Sequence, residues 1–324
     1  MKTISILVPE TAIAASILDP RYMFSAVNQF FINENKTEPF KIQLVGATKT
    51  ISLNNGLVNF KVDYLLEDAP KSDLIIIPAI SGDIAVAIEK NKQVIDWLSL
   101  QYKNGAEMAS LCIGAFLLAS TGALDQKRCS THWLYADLFK KMFPTVNLVD
   151  DKLITDQNGV YSSGGATSYW NLLLYLVEKY IDKQTAIMAA KFFLLDVGKN
   201  SQSGFMMFRG QKMHDDCEIL RVQDYVEIHF AEKLTVDDLS ARFNIGRRTM
   251  ERRFKKATYN SVIEYIQRVK IEAAKKQLEI GRKNVNEVMY DVGYTDVKAF
   301  RDVFKKLTAM TPVEYRNKYN REWI

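Results

Sequence analysis

At 324 residues, 48% hydrophobic and 25% charged, the chain is long enough for two domains with cores of their own and has the balance of a globular protein. Three scattered cysteines exclude a disulfide framework and a cysteine zinc site, and the longest apolar run, Met108 to Leu118, is too short to span a bilayer. The formal charge of +5 sits wholly in residues 216–324, which hold 22 basic and 17 acidic residues against 21 of each in residues 1–215.

The N-terminus runs from Lys2 straight into the β-branched stretch Ile4-Ser5-Ile6-Leu7-Val8, which predicts a strand and not a signal peptide. Tyr22, Phe24, Val27, Phe30 and Phe31 predict a helix over Arg21–Asn33. Phe40–Val45 and Val58–Tyr64 alternate as strands do, and Asp73–Pro78 is the continuous apolar run of a central parallel strand. A helix follows over Asn91–Lys103. Strands alternating with helices predict a parallel sheet covered on both faces, with ligands at the carboxyl ends of its strands.

Ala106 to Ala119 predicts a buried strand ending near Leu111, then a helix from about Ile113. Cys112 falls at the turn between them, which Gly114 and Ala115 allow to be sharp, and faces a helix N-terminus that favours a thiolate. Thr131-His132-Trp133 opens a further helix, so Cys112 and His132 have the placing of a nucleophile and base. The plainer reading carries more weight on spacing alone: a small buried cysteine and a capping or packing histidine. Gly164-Gly165 precedes an apolar helix over Tyr169–Tyr180, either as a backbone ligand cradle or as a tight turn. A helix over Lys183–Leu195 ends before a polar, glycine-bearing stretch, Gly198–Gly204. The expected division is therefore a first domain over 1–197, a linker over 198–215 and a second domain over 216–324.

The last third repeats itself at an offset of fifty residues. Phe254-Lys255-Lys256-Ala257-Thr258 returns as Phe304-Lys305-Lys306-Leu307-Thr308, and Ser261-Val262-Ile263-Glu264-Tyr265 as Thr311-Pro312-Val313-Glu314-Tyr315. Thr235 is an expected N-cap, Gly246 a helix break, and Arg247–Ala257 a helix that buries Met250, Phe254 and Ala257. Short helix, turn, basic helix is the helix-turn-helix pattern. The second copy has Asn284–Tyr290, a turn at Val292-Gly293-Tyr294 one residue longer, and a helix capped by Thr295 or Asp296. Arg247, Arg248, Thr249, Glu251, Arg252 and Lys255 are the expected DNA-facing residues of the first copy; Asp296, Lys298, Arg301 and Lys305 are those of the second. With four arginines around the first recognition helix and Asp296 and Asp302 diluting the second, the first is expected to supply most of the affinity. A long helix over Ser261–Glu279 would hold the two at a fixed separation; if that is near one DNA turn, roughly 34 Å, both enter successive major grooves on one face.

The Phe254-Lys255-Lys256 block, Tyr265–Ala274, Val292-Gly293-Tyr294, Phe300, Phe304 and Thr311–Arg316 resemble the AraC-type DNA-binding domain over about residues 218–319. Tyr259, Val262 and Met289 depart from its usual glycine, proline and alanine. Cys112–Ala119, Gly122-Ala123-Leu124, Thr131-His132-Trp133 and Phe143-Pro144 resemble the PfpI-like, glutamine amidotransferase-like domain of the GlxA-type regulators. The implied fold is an α/β parallel-sheet sandwich, flavodoxin-like and PfpI-like, followed by an all-α tandem helix-turn-helix domain. The resemblance implies a cytoplasmic, homodimeric transcription regulator bound to double-stranded DNA, with a small-molecule effector, often an amine or other nitrogen compound, and with no membrane, cofactor or metal. The family's first loop carries an acidic residue before Gly-Pro, whereas this chain has Ala14-Ala15-Ser16, with Glu10 and Asp19 nearby. Without a complete triad, Glu10, Cys112, Ile113 and His132 are expected to form an effector pocket rather than an enzyme site. The alternative is a cysteine-dependent amidase or hydrolase using Cys112 and His132.

Overall fold

A computed structural model describes residues 1–196 and 201–320, which divide into two compact units, Met1–Gln202 and Ser203–Ile324. The first unit holds β1 (Lys2–Leu7), α1 (Ala15–Asn33), β2 (Phe40–Gly46), β3 (Thr50–Leu53), β4 (Val58–Lys61), β5 (Tyr64–Leu65), β6 (Leu74–Ile77), α2 (Ile84–Lys90), α3 (Lys92–Lys103) and β7 (Glu107–Leu111). After a 3₁₀ turn at Cys112–Gly114 come α4 (Ala115–Ser120), β8 (Arg128–Cys129), α5 (Ala136–Met142), β9 (Asn147–Leu148), β10 (Ile154–Gln157), β11 (Val160–Ser163), α6 (Tyr169–Tyr180) and α7 (Lys183–Phe192).

Seven strands form one sheet in the order β10-β11-β7-β6-β1-β2-β5. Every pairing in it is parallel except that of β10 with β11, so the expected parallel sheet carries one antiparallel edge strand. The period of two sorts its side chains: Ile4, Ile6, Leu74 and Ile76 join α1, α6 and α7 in one core, while Leu7, Ile75, Ile77 and Met108 join α2, α3, α4 and α5 in the other. The run Leu74–Ile77 is buried at every position, as a strand covered on both faces must be. The hairpin β3–β4 and the short β8–β9 pair stand outside this sheet.

The second unit is helical: α8 (Cys217–Ile228), α9 (Val236–Arg242), α10 (Arg247–Thr258), α11 (Val262–Ile280), α12 (Val285–Asp291), α13 (Val297–Thr308) and α14 (Pro312–Tyr319). It has two cores. Met250, Phe254, Tyr265 and Ile266 centre the first; Phe300, Phe304, Leu278 and Tyr315 centre the second. Helix α11 contributes to both.

The repeat is structural down to single bonds. The Thr258 hydroxyl donates to the Phe254 carbonyl at 2.8 Å, and Thr308 does the same to Phe304 at 2.8 Å. Tyr259 and Ala309 both close their helices with φ at +58°. Ser261 with Glu264, and Thr311 with Glu314, form capping boxes that start α11 and α14. Phe254 meets Tyr265 edge-on at 5.2 Å, and Phe304 meets Tyr315 at 5.5 Å.

The segment expected as a linker over 198–215 is different in kind. Residues 198–200 lie outside the described residues. Ser201 and Gln202 belong to the first unit, where Ser201 bridges Lys152 and the Gln202 N–H donates to the Asp151 carbonyl at 2.9 Å. Ser203 onward packs on the helices of the second unit, with Phe208 against the first core. Backbone amides and carbonyls that a free spacer would leave to water are here bonded to side chains.

Candidate functional site

Cys112 occupies the expected elbow. Strand β7 ends at Leu111, and Cys112 turns the chain with φ at +54°. Only glycine fits at 114, because a Cβ there would stand 2.4 Å from the Pro78 carbonyl oxygen and 2.7 Å from that of Ile77. The expectation of a thiolate, however, is corrected. Cys112 is 4% exposed, and burial pushes its thiol up to about 12, with the Ile113 N–H opposing weakly. Helix α4 behind it has only six residues.

His132 has the role of a cap. Its Nδ1 accepts from the Leu134 N–H at 3.1 Å at the start of the 3₁₀ turn Trp133–Tyr135, which leaves the neutral ring's proton on Nε2. Burial lowers its pKa, so the neutral imidazole is favoured. Among the described residues no hydrogen bond joins Cys112 to His132. They are tied through Thr131, whose hydroxyl donates to the Cys112 carbonyl at 3.1 Å. Ile113 is buried beside them.

Glu10 belongs elsewhere. It is exposed and lines an open cleft of about 780 Å³ with Thr11, Thr50, Ser52, Ser81 and Lys90, and the lining contains none of Cys112, Ile113 and His132. The cleft lies beyond the carboxyl ends of β1 and β6, where open α/β sheets hold their ligands. The four residues expected to form one pocket therefore divide into a buried cysteine site and a polar cleft. Asp19, the other nearby acid, is taken up: its Oδ2 accepts from the Tyr169 hydroxyl at 2.6 Å and from Trp170 Nε1 at 3.1 Å.

Tyr169 was not singled out by sequence reasoning. It is buried, and burial with the Asp19 hydrogen bond raises its pKa. Gln202 was missed as well. Its buried Nε2 donates to the carbonyls of Thr131 at 3.0 Å and Asp150 at 2.7 Å, behind the turn that holds His132. Its place in a polar, glycine-bearing stretch gave no signal. Among the described residues no group of three or more His, Cys, Asp or Glu side chains could hold a metal ion.

In the second unit, α9 and α10 are joined by Phe243–Gly246, and α12 and α13 by Val292–Asp296, one residue longer as expected. Met250 and Phe254 turn inward, and Arg247, Arg248, Thr249, Glu251, Arg252 and Lys255 are exposed together. Their free charge is smaller than the sequence suggests. Arg247 pairs with Asp237 at 2.9 Å and with Glu251 at 3.3 Å. Arg253 is fixed to Asp216 at 2.5 Å and to Glu218. Lys255 donates to the Tyr259 carbonyl at 2.8 Å. On α13, Asp296 is the N-cap, accepting from the Ala299 N–H at 2.8 Å, which leaves Lys298, Arg301 and Lys305 exposed. Among the described residues Arg248, Arg252, Lys298, Arg301 and Lys305 form no ion pair. The exposed, unpaired arginines thus number two on α10 and one on α13, and the asymmetry read from the sequence shrinks.

Residues 14–179 match the DJ-1/PfpI family, and residues 239–318 match a helix-turn-helix domain. The HTH-type transcriptional regulator GbdR of Pseudomonas aeruginosa is 22% identical over 251 residues, which cover 77% of this chain and 67% of that protein. Isonitrile hydratase of Pseudomonas putida is 30% identical over 138 residues, 42% of this chain and 57% of that one. A THiJ/PfpI family protein from Pseudomonas syringae shares the fold, with a TM-score of 0.51 at 16% identity over 60% of this chain and 75% of that chain. The elbow at Cys112 on a mostly parallel sheet, followed by two copies of a capped helix-turn-helix, places the chain in the DJ-1/PfpI family, in the branch whose first unit is joined to an AraC-type DNA-binding domain.

Proposed function

We propose that the chain is a sequence-specific DNA-binding transcription regulator, active as a homodimer, whose first unit senses a small metabolite such as an amine or other nitrogen compound. The observation that carries this is the paired arrangement of α10 and α13, each burying a phenylalanine face on its own core and presenting a basic face to solvent. Each such helix has the shape and donors to read a major groove, with arginine matching guanine O6 and N7. Glu10 and Lys90 in the polar cleft supply one group of each sign for a small polar effector.

Catalysis is not assigned to Cys112. A cysteine hydrolase needs a thiolate near neutral pH, and this thiol is held protonated by its surroundings. The test of the main reading is DNA binding by the Arg248→Ala/Arg252→Ala double variant. Affinity for a selected operator should fall at least about tenfold, with base preference relaxed at the sites the two arginines read. Unchanged affinity and preference would refute the reading.

A further inference from the structure

The two cores of the second unit each support one recognition helix, so reading two DNA sites at once requires that the cores keep a fixed spacing. Helix α11 runs through both, and Phe230 packs against each. A third link is the segment that sequence patterning assigned to a free linker.

Residues 203–212 run from the second core to the first. At one end Gly204 lies against the close of α13. A Cβ there would stand 2.2 Å from Met310 Cε and 3.3 Å from the Thr308 carbonyl oxygen, and the Gly204 carbonyl accepts from the Tyr319 hydroxyl at 2.8 Å. In the middle, Lys275 of α11 donates to the Met206 carbonyl at 2.5 Å, and Glu272 of α11 accepts from the Phe208 N–H at 3.0 Å. At the other end the Gln211 side-chain oxygen accepts from Asn260 Nδ2 at 3.2 Å, just past α10, and Lys212 pairs with Asp224 and Glu227, each at 2.7 Å.

Two features mark this as built. Asn260 and Met310 are the same position of the two repeats, fifty residues apart, so the segment grips each copy at its equivalent point. The Lys275–Glu272 pair, at 2.7 Å, is also almost wholly buried, with side chains 5% and 12% exposed. A buried ion pair is sustained only where further hydrogen bonds satisfy it, and here those come from the backbone of the segment.

We propose that residues 203–212 are a strap that sets the distance between α10 and α13, with Gln211, Glu272, Lys275 and Tyr319 as positioning residues for DNA recognition. This rests on the DNA-binding reading above. A third tie, running along the length of α11 beside the Phe230 contact, limits bending of that helix between the cores and confines the unit to one half-site spacing.

The experiment uses the full chain and an operator obtained by selection from random DNA. Binding is measured on that operator and on versions with one base pair added or removed between the two half-sites. Wild type should lose about tenfold or more at either altered spacing, as for a mismatched site. The Gln211→Ala/Tyr319→Phe variant, and separately Glu272→Gln, should lose less than about threefold on the same change, with an unchanged salt slope because the phosphate contacts remain. Variants that keep the wild-type ratio at every spacing overturn the strap, including any that weaken uniformly through loss of folding. A wild type that selects no DNA fails at the earlier step and overturns the DNA reading on which the strap depends.

Discussion

Cys112 and Arg253 show how differently two residues of promising sequence context end up. Cys112 has the elbow, the glycine and the helix behind it, yet desolvation decides its chemistry. Because its folded pKa is raised to about 12, the neutral thiol persists through the neutral range and ionises only in strong alkali. Mass-mapped alkylation by iodoacetamide should therefore rise at Cys112 without a plateau from pH 7 to about 10, the behaviour of a thiol titrating above that range. Exposed Cys217 serves as the internal comparison. A plateau at Cys112 by about pH 8 would restore the hydrolase reading, since a catalytic thiolate titrates at or below that point. Arg253 belongs to the basic stretch Arg242–Lys256 but turns to Asp216 and Glu218, holding α10 against the start of α8. Sequence showed the charge and not its partner, because Asp216 and Glu218 lie more than thirty residues earlier in the chain.

At the scale of elements, the sequence was most legible where local rules act alone. The capping residue Thr235, the α6 bounds Tyr169–Tyr180, and the inward Met250 and Phe254 all follow from helical period and cap chemistry. Short strands β8 to β11 went unread, because two to four residues give no usable period and their stability comes from neighbours distant in sequence. Tyr259, where the AraC-type domain usually has glycine, takes the left-handed cap all the same. An L-residue with a Cβ there is disfavoured by about 1 kcal/mol. Tyr259→Gly should stabilise the first helix-turn-helix by roughly 0.5–1 kcal/mol, less whatever glycine loses in unfolded-chain entropy. Hydrogen exchange of the α10 amides in a urea series measures this, and faster exchange than wild type would contradict it.

On the scale of the whole molecule, both fold classes were legible: the apolar run Leu74–Ile77 fixed a sheet covered on both faces, and the fifty-residue repeat fixed the tandem helical unit. The candidate sites were less so. Glu10 and Cys112 flank the same sheet yet open on different surroundings, and the segment expected to be slack is bonded along its length. No helix among the described residues is long and apolar enough to cross a membrane. The central claim is that two comparable helices read two neighbouring sites. It is tested most directly by repeating the operator selection with the Arg248→Ala/Arg252→Ala and Lys298→Ala/Arg301→Ala variants at one salt concentration. Wild type should enrich a two-part site with centres about 10–10.5 base pairs apart, and each variant should erase one half of it while keeping the other. Enrichment of a single half-site by wild type, or its unaltered recovery by the α13 variant, would contradict it.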